Sequence, residues 1–256
     1  MFAIERLKKI KDLLMAQKRV DVVELSEMFS VTEVTIRRDL DKLEQTGFLV
    51  KTYGGAVLNE PSIQAPSSGD NESKHGEEKR LIGKIAAQMV EEGEAIFLSS
   101  GSTCLEIARN LKDKKLTVLT NDLAIGLELK DAIGTKTIVV GGDLVPSSTM
   151  LVGGFAMQML KGIYVNKAFF GVRGVQFDAG YTVSHYEEAM ILQEVAKIAS
   201  QIVIVADYTK FNVKGFAKLG DLTMAKLVIT NAQIPNEYKT YYFEQAIKLY
   251  TTYDLG

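Results

Sequence analysis

The chain has 256 residues, 46% of them hydrophobic and 24% charged, a globular composition with enough apolar material for more than one core. Its single cysteine, Cys104, excludes an internal disulfide and a cysteine-built zinc site, as expected of a reducing cytoplasm. A formal charge of −2 removes any bulk electrostatic case for nucleic acid, and residues 1–60 carry ten Lys and Arg against ten Asp and Glu. A basic interface therefore has to be argued from where the cations sit.

The amino-terminal stretch MFAIERLKKIKDLLMAQ spreads charge among its apolar residues and lacks a small-residue cleavage site, so it reads as a helix and not as a signal peptide. Ile4, Leu7, Ile10 and Leu14 recur at helical spacing over residues 3 to 17. Asp21 with Glu24 three residues on is like a capping box and predicts a second, short helix to about Phe29. A third helix starts at Ser30 or at Thr32 and is closed by Gly47. On its wheel Ile36, Leu40, Leu43 and Gly47 share the core side, while Val34, Thr35, Arg38, Lys42 and Gln45 point away with Arg37 on the flank. FLVKTYGGAVL then supplies two extended runs around Tyr53, Gly54 and Gly55, a hairpin.

Three helices and a hairpin in residues 1–58 make a winged helix-turn-helix, a motif whose second helix enters the major groove of double-stranded DNA. Thr32, Glu33, Val34, Thr35 and Arg38 are the candidates for base contact, and Arg37, Lys42, Lys51 and Tyr53 suit phosphates or the wing. One arginine fork on guanine is worth ~1–3 kcal/mol of discrimination. Asp39, beside the core face, reads as an intramolecular partner that orients an arginine. The plainer alternative, that Arg37 and Arg38 only solvate an exposed face, is outweighed by the hairpin and the tight helix spacing.

Residues 59–77 hold two of the four prolines with Ser, Gly and acids and read as a linker, in which His75 is expected to be solvated. From residue 78 to 256 the rhythm changes. EAIFLS, LTVLT, KTIVVGG, KAFFGV, QIVIVA and AKLVIT read as strands, several buried on both faces, with helices such as STCLEIARNL and SHYEEAMILQEVAKIA between them. The fold class is α/β: a winged helix-turn-helix followed by a mostly parallel α/β effector domain. The Tyr-rich tail TYYFEQAIKLYTTY reads as a closing helix packed on the sheet or on a second subunit. No apolar run reaches the roughly 18 residues of a membrane helix, so a cytoplasmic protein is expected.

Ligands of open parallel sheets bind at the carboxyl ends of the strands. Three strands here end in small polar turns: Ser100, Gly101, Ser102 and Thr103; Thr120, Asn121 and Asp122; Gly141, Gly142 and Asp143. The first leads into a helix start suited to an anion, though it is neither a Walker A nor a G-x-G-x-x-G loop. Together they predict a polyol or sugar-phosphate pocket. Cys104 reads as a small buried residue before a reactive thiol, and His185 equally as a helix-start residue or a ligand contact.

VTEVTIRRDLDKLEQTGFLVKTYGGAV resembles the recognition region of the DeoR family of bacterial repressors of sugar metabolism. LSSGSTCLEIA, VLTNDLAI, VVGGDL, KAFFGVRGV, GYTVSHYEEA and VADYTKF resemble that family's effector domain, which is similar to ribose-5-phosphate isomerase. The resemblance implies a repressor that binds an operator and senses a phosphorylated sugar; no cofactor and no metal are expected. It places Ser100, Gly101, Ser102 and Thr103 on phosphate, Asn121 and Asp122 along the pocket, Glu187 and Lys210 toward the ligand, and Gly142 and Asp143 on the rim. A homo-oligomer is expected because one small winged domain grips few phosphates. Where the family commonly has an acid, this chain has Ser99, Asn166 and, near VITNA, Asn231 and Ala232; Val145 replaces a frequent Arg and Tyr53 a His. The alternative is an isomerase-like enzyme with a fused DNA-binding unit, using Asp143, Glu187, Asp207 and Lys210 as acids and bases.

Overall fold

In the computed structural model, which describes residues 3–17, 19–45, 49–52, 54–58 and 75–251, the chain separates into two units, Met1–Gln64 and Ala65–Gly256. The first runs α1 (Ala3–Gln17), β1 (Arg19–Asp21), α2 (Val22–Phe29), α3 (Glu33–Gln45), β2 (Leu49–Thr52) and β3 (Gly55–Leu58). β3 pairs antiparallel with both β1 and β2, so the expected hairpin becomes a three-stranded wing sheet. Ile10 and Leu14 of α1, Leu25 and Phe29 of α2 and Ile36, Leu40 and Leu43 of α3 close one core with Leu49 and Ala56 of the wing.

Local chemistry sets the boundaries. The Asp21 side chain accepts from the N–H of Val23 at 2.8 Å and of Glu24 at 3.4 Å, capping α2. Ser30 does not start α3; it adopts the left-handed conformation (φ 53°, ψ 47°) that terminates α2. Thr32 starts α3, its Oγ1 accepting from the Thr35 N–H at 3.4 Å. Asp39 is an internal partner as expected, but the arginine it holds is Arg6 of α1, with Nε donating to Oδ2 at 2.5 Å. Gly47, Tyr53 and most of the expected linker, residues 59–74, lie outside the described residues.

Among the described residues the second unit runs α4 (Gly76–Gln88) and β4 (Ala95–Leu98), then α5 (Ser102–Arg109), β5 (Thr117–Thr120), α6 (Leu123–Glu128) and β6 (Lys136–Val139). A short pair follows, β7 (Asp143–Leu144) and β8 (Leu151–Val152), then α7 (Gly154–Met159) and β9 (Val165–Gly171). β10 (Gly174–Gln176) and β11 (Gly180–Val183) precede α8 (Tyr186–Ile198) and β12 (Ala199–Val205). β13 (Ala217–Gly220), β14 (Leu227–Ile229), α9 (Asn236–Glu244) and β15 (Lys248–Tyr250) complete it.

Seven strands form one parallel sheet in the order β15-β14-β12-β9-β4-β5-β6. Alternate residues of each strand serve opposite faces. Phe97, Phe170, Ile204 and Val228 face the layer of α7, α8 and α9, while Ile96, Leu98, Phe169, Val203 and Ile229 face α4, α5 and α6. From β4 the chain winds to β5 and β6 on one side, then returns to β9 on the other, so the strand order reverses between β4 and β9. The tail is not one closing helix. α9 ends at Glu244 with Gln245 as its cap, Ala246 takes a positive φ of 53°, and β15 pairs along the otherwise open edge of β14. Tyr238 and Tyr242 of α9 do pack on the sheet, fully buried. Among the described residues no helix is long and apolar enough to cross a membrane.

Candidate functional site

A cleft of about 320 Å³ opens at the carboxyl ends of β4 and β9, where the strand order reverses. The two strands stay joined just beyond their ends: the Ser99 N–H donates to the Phe169 carbonyl at 3.1 Å, and Ser99 Oγ accepts from the Gly171 N–H at 2.9 Å. The chain then turns outward through Ser100 and Gly101, and α5 begins at Ser102. Ser100, Gly101, Ser102 and Thr103 all line the cleft, with Asp122 and Lys210.

Asp122 shapes this turn. Its Oδ2 accepts from the Ser100 hydroxyl at 2.7 Å and the Gly101 N–H at 3.0 Å, and its Oδ1 accepts from the Ala124 N–H at 2.8 Å, capping α6. A carboxylate so engaged fixes the loop and has little left for proton transfer. Asn121 lies beneath, fully buried, accepting from the Ser100 N–H at 3.2 Å and donating to the Leu151 carbonyl at 3.2 Å. It supports the pocket without lining it.

Three expected residues stand elsewhere. Gly142 and Asp143 do not line the cleft: Asp143 opens β7, and a Cβ at Gly142 just before it would sit 2.2 Å from the Val152 carbonyl oxygen, so packing against β8 requires a glycine there. Glu187 is exposed on α8, and its neighbour Glu188 lines the cleft instead. The reason is helical phase: Glu188 stands three, four and seven residues before Ile191, Leu192 and Val195, all buried. Burial pushes the Glu188 carboxyl up to about 7, against the N–H groups of Ser184 and His185 that favour its charged form.

The cleft also recruits Lys79, Ser148, Thr149, Arg173 and His185. Lys79 was legible as the first of a buried series with Ile82 and Ala86, and Arg173 as the second residue beyond β9. Lys79, Arg173 and Lys210 line the cleft together with the carboxylates Asp122 and Glu188, beside a helix amino terminus, and Lys210 Nζ also lies 3.6 Å from Oδ2 of the buried Asp207. Cys104 is buried beneath the turn, its Sγ 3.4 Å from Ser99 Oγ. Desolvation drives its pKa up to about 11, overriding the helix terminus.

The departures from the family pattern mostly fall away from the cleft. Asn166 sits at the opposite, amino-terminal end of β9, accepting from the Ala95 N–H at 2.8 Å. Val145 lies beyond β7, donating its N–H to the Met150 carbonyl at 3.0 Å. Asn231 and Ala232 follow β14 without lining the cleft. Only Ser99 adjoins it, and its hydroxyl turns to Gly171 and Cys104.

In the first unit Thr32, Val34, Arg37, Arg38 and Lys42 are exposed on α3, and Glu33 and Thr35 half-buried. Arg37 donates to Glu33 at 2.7 Å across one helical turn, and the Thr32 and Thr35 hydroxyls lie 3.0 Å apart. Lys51 of the wing is bound to Asp41, with Glu44 at 3.7 Å. The hydrogen bond to Asp41 holds its ammonium above the ordinary lysine range. Arg38 and Lys42 make no ion pair among the described residues, which leaves them the least committed of these cations. Tyr53 lies outside the described residues.

Residues 6–62 match the DeoR-like helix-turn-helix domain family and residues 74–232 the DeoR C terminal sensor domain family. The chain belongs to the DeoR family. It is 30% identical over 237 residues to the HTH-type transcriptional repressor GlcR of Bacillus subtilis (strain 168), covering 93% of this chain and 91% of that protein. It is 32% identical over 235 residues to the HTH-type transcriptional regulator GolR of Listeria innocua, covering 91% and 92%. Ribose 5-phosphate isomerase A from Methanocaldococcus jannaschii is similar at 16% identity and a TM-score of 0.41 over 54% of this chain and 55% of that one, too remote to argue chemistry. As a DeoR-family member the chain is a DNA-binding transcriptional regulator and not an enzyme. Of the four groups that could serve an isomerase as acid or base, Asp143, Glu187, Asp207 and Lys210, only Lys210 lines the cleft.

Proposed function

We propose that this regulator represses a sugar catabolism operon and is controlled by a phosphorylated sugar held in the cleft between β4 and β9. The supporting observation is the convergence of the Ser100–Thr103 turn, at the amino terminus of α5, with Lys79, Arg173 and Lys210. In this reading the phosphate takes the N–H groups and hydroxyls of Ser102 and Thr103 and the three cations, the donors of Ser100 and Gly101 being held by Asn121 and Asp122, while Glu188, His185, Ser148 and Thr149 meet the sugar hydroxyls. Thr32, Glu33, Val34, Thr35 and Arg38 face base edges, and Arg37, Lys42, Lys51 and Tyr53 the backbone or wing contacts. Because one winged domain grips few phosphates, the working form is a homo-oligomer on a two-part operator in the cytoplasm.

Sugar control requires that the ligand bind one conformational state better than the other. Thermal melting against a panel of pentose, hexose and triose phosphates tests the cleft. One or more raises the melting temperature of the wild-type chain, and Lys210→Ala or Thr103→Val removes that rise without weakening duplex binding by the free protein. No rise with any phosphorylated sugar refutes the reading.

A further inference from the structure

Helix α4 of the effector unit touches the cleft in three ways. Lys79 of α4 lines it directly. Gly83 lets α4 lie backbone to backbone on α5, the helix carrying the anion turn: a Cβ there would sit 2.7 Å from the Glu106 carbonyl carbon and 2.8 Å from its oxygen. The third way is less direct. Asn231, buried beyond β14, accepts through Oδ1 from the Tyr208 N–H at 3.2 Å and donates through Nδ2 to the Glu78 carbonyl at 3.3 Å. Tyr208 opens the short turn Tyr208–Lys210, so the residue pinned to α4 is two positions from a cleft lysine. The His75 ring also stands edge-on to the Tyr208 ring, centroids 5.6 Å apart at 83°.

Resting on the phosphate reading of the cleft, we propose that Asn231 couples occupancy of the cleft to the first turn of α4, and through it to the chain that leads back to the DNA-binding unit. The bridge uses both halves of the amide. One end is a backbone donor and the other a backbone acceptor, and Asn231 meets them at two separate atoms, its C=O taking the first and its NH2 the second. An aspartate at 231 keeps the bond to Tyr208 but sets a carboxylate oxygen against the Glu78 carbonyl, opening the link at α4 alone. When anion binding draws in Lys210 and the start of α5, α4 follows because Asn231 holds its first turn and Gly83 its middle. The amino end of α4 is where that displacement leaves the effector unit.

Hydrogen exchange by mass spectrometry on the full chain tests this, with inorganic phosphate as the probe against sodium chloride of equal ionic strength. Phosphate at about ten times its dissociation constant should slow exchange roughly tenfold at 101–104 and also at 75–79 in the wild-type protein. In Asn231→Asp the slowing at 101–104 persists and that at 75–79 is lost. A merely structural role would raise exchange with and without phosphate alike and leave their ratio unchanged, which overturns the proposal. Should Asn231→Asp fail to fold, Tyr208→Pro removes the N–H donor instead, at a first-turn position suited to proline, and gives the same loss. Protection at 101–104 without protection at 75–79 in the wild-type chain sinks the coupling and leaves the cleft reading standing. No protection at 101–104 sinks the cleft reading and the coupling with it.

Discussion

Asp39→Ala removes the carboxylate that anchors α3 to α1. Arg6 and Asp39 are 6% and 2% exposed and meet at 2.5 Å, so the substitution leaves a guanidinium buried against the three-helix core without its counter-charge. Removing one partner of a buried pair typically costs ~3–5 kcal/mol. A unit of about 60 residues, at ~0.05–0.15 kcal/mol per residue, has only some 3–9 kcal/mol to lose. Asp39→Ala should therefore unfold much of the DNA-binding unit at 37 °C while leaving the effector unit intact. The double variant Arg6→Met/Asp39→Leu, which removes both charges and keeps apolar volume, should restore the fold. Peptide-resolved hydrogen exchange separates the units: α1 and α3 lose protection in the single variant and regain it in the double, with residues 95–205 unchanged throughout. A cost below ~1 kcal/mol for Asp39→Ala would mean a water-screened surface pair and would refute the argument.

Arg38→Ala should weaken operator binding about five- to a hundredfold, the range of one base-reading fork, whereas Lys51→Ala should cost less because that ammonium is already engaged by Asp41 and Glu44. Fluorescence anisotropy on a duplex selected from random sequence measures both, and undiminished affinity in Arg38→Ala contradicts the groove assignment. Glu188→Gln should flatten the pH dependence of stability. The folded carboxyl binds its proton up to about 7 against an ordinary 4.5, so wild-type stability falls as pH rises between those values and levels off above. Melting at pH 8 should favour Gln by about 1 kcal/mol, less than the roughly 3 kcal/mol of a fully dry carboxyl because the cleft admits solvent. A parallel pH profile for both proteins contradicts the assigned burial. Cys104, its thiol pushed up to about 11, should resist iodoacetamide at neutral pH until urea unfolds the effector unit; rapid native labelling would show the thiol to be accessible.

Local pattern alone determined the outline of this protein. Periodicity marked α3, because Ile36, Leu40 and Leu43 can meet a core only in helical phase. Continuous apolar runs marked six strands of the parallel sheet, because a strand covered on both faces has no polar side to show. The turn Ser100–Thr103 was readable for the same local reason, as was the DeoR character of TIRRDL and GGAV. What the sequence left open depends on which residues meet across the fold. β15 is a strand because β14 offers it an edge, and three residues carry no periodicity to announce it. Glu188, not Glu187, lines the cleft because packing fixes the rotation of α8. Asn166 stands far from the cleft because a parallel sheet puts all its strand starts at one end and the cleft lies at the other. The bond from Asn231 to Glu78 spans 153 positions and exists only because the strand order brings the end of β14 beside the first turn of α4. Burial is written into neighbouring residues, but partnership belongs to the assembled sheet.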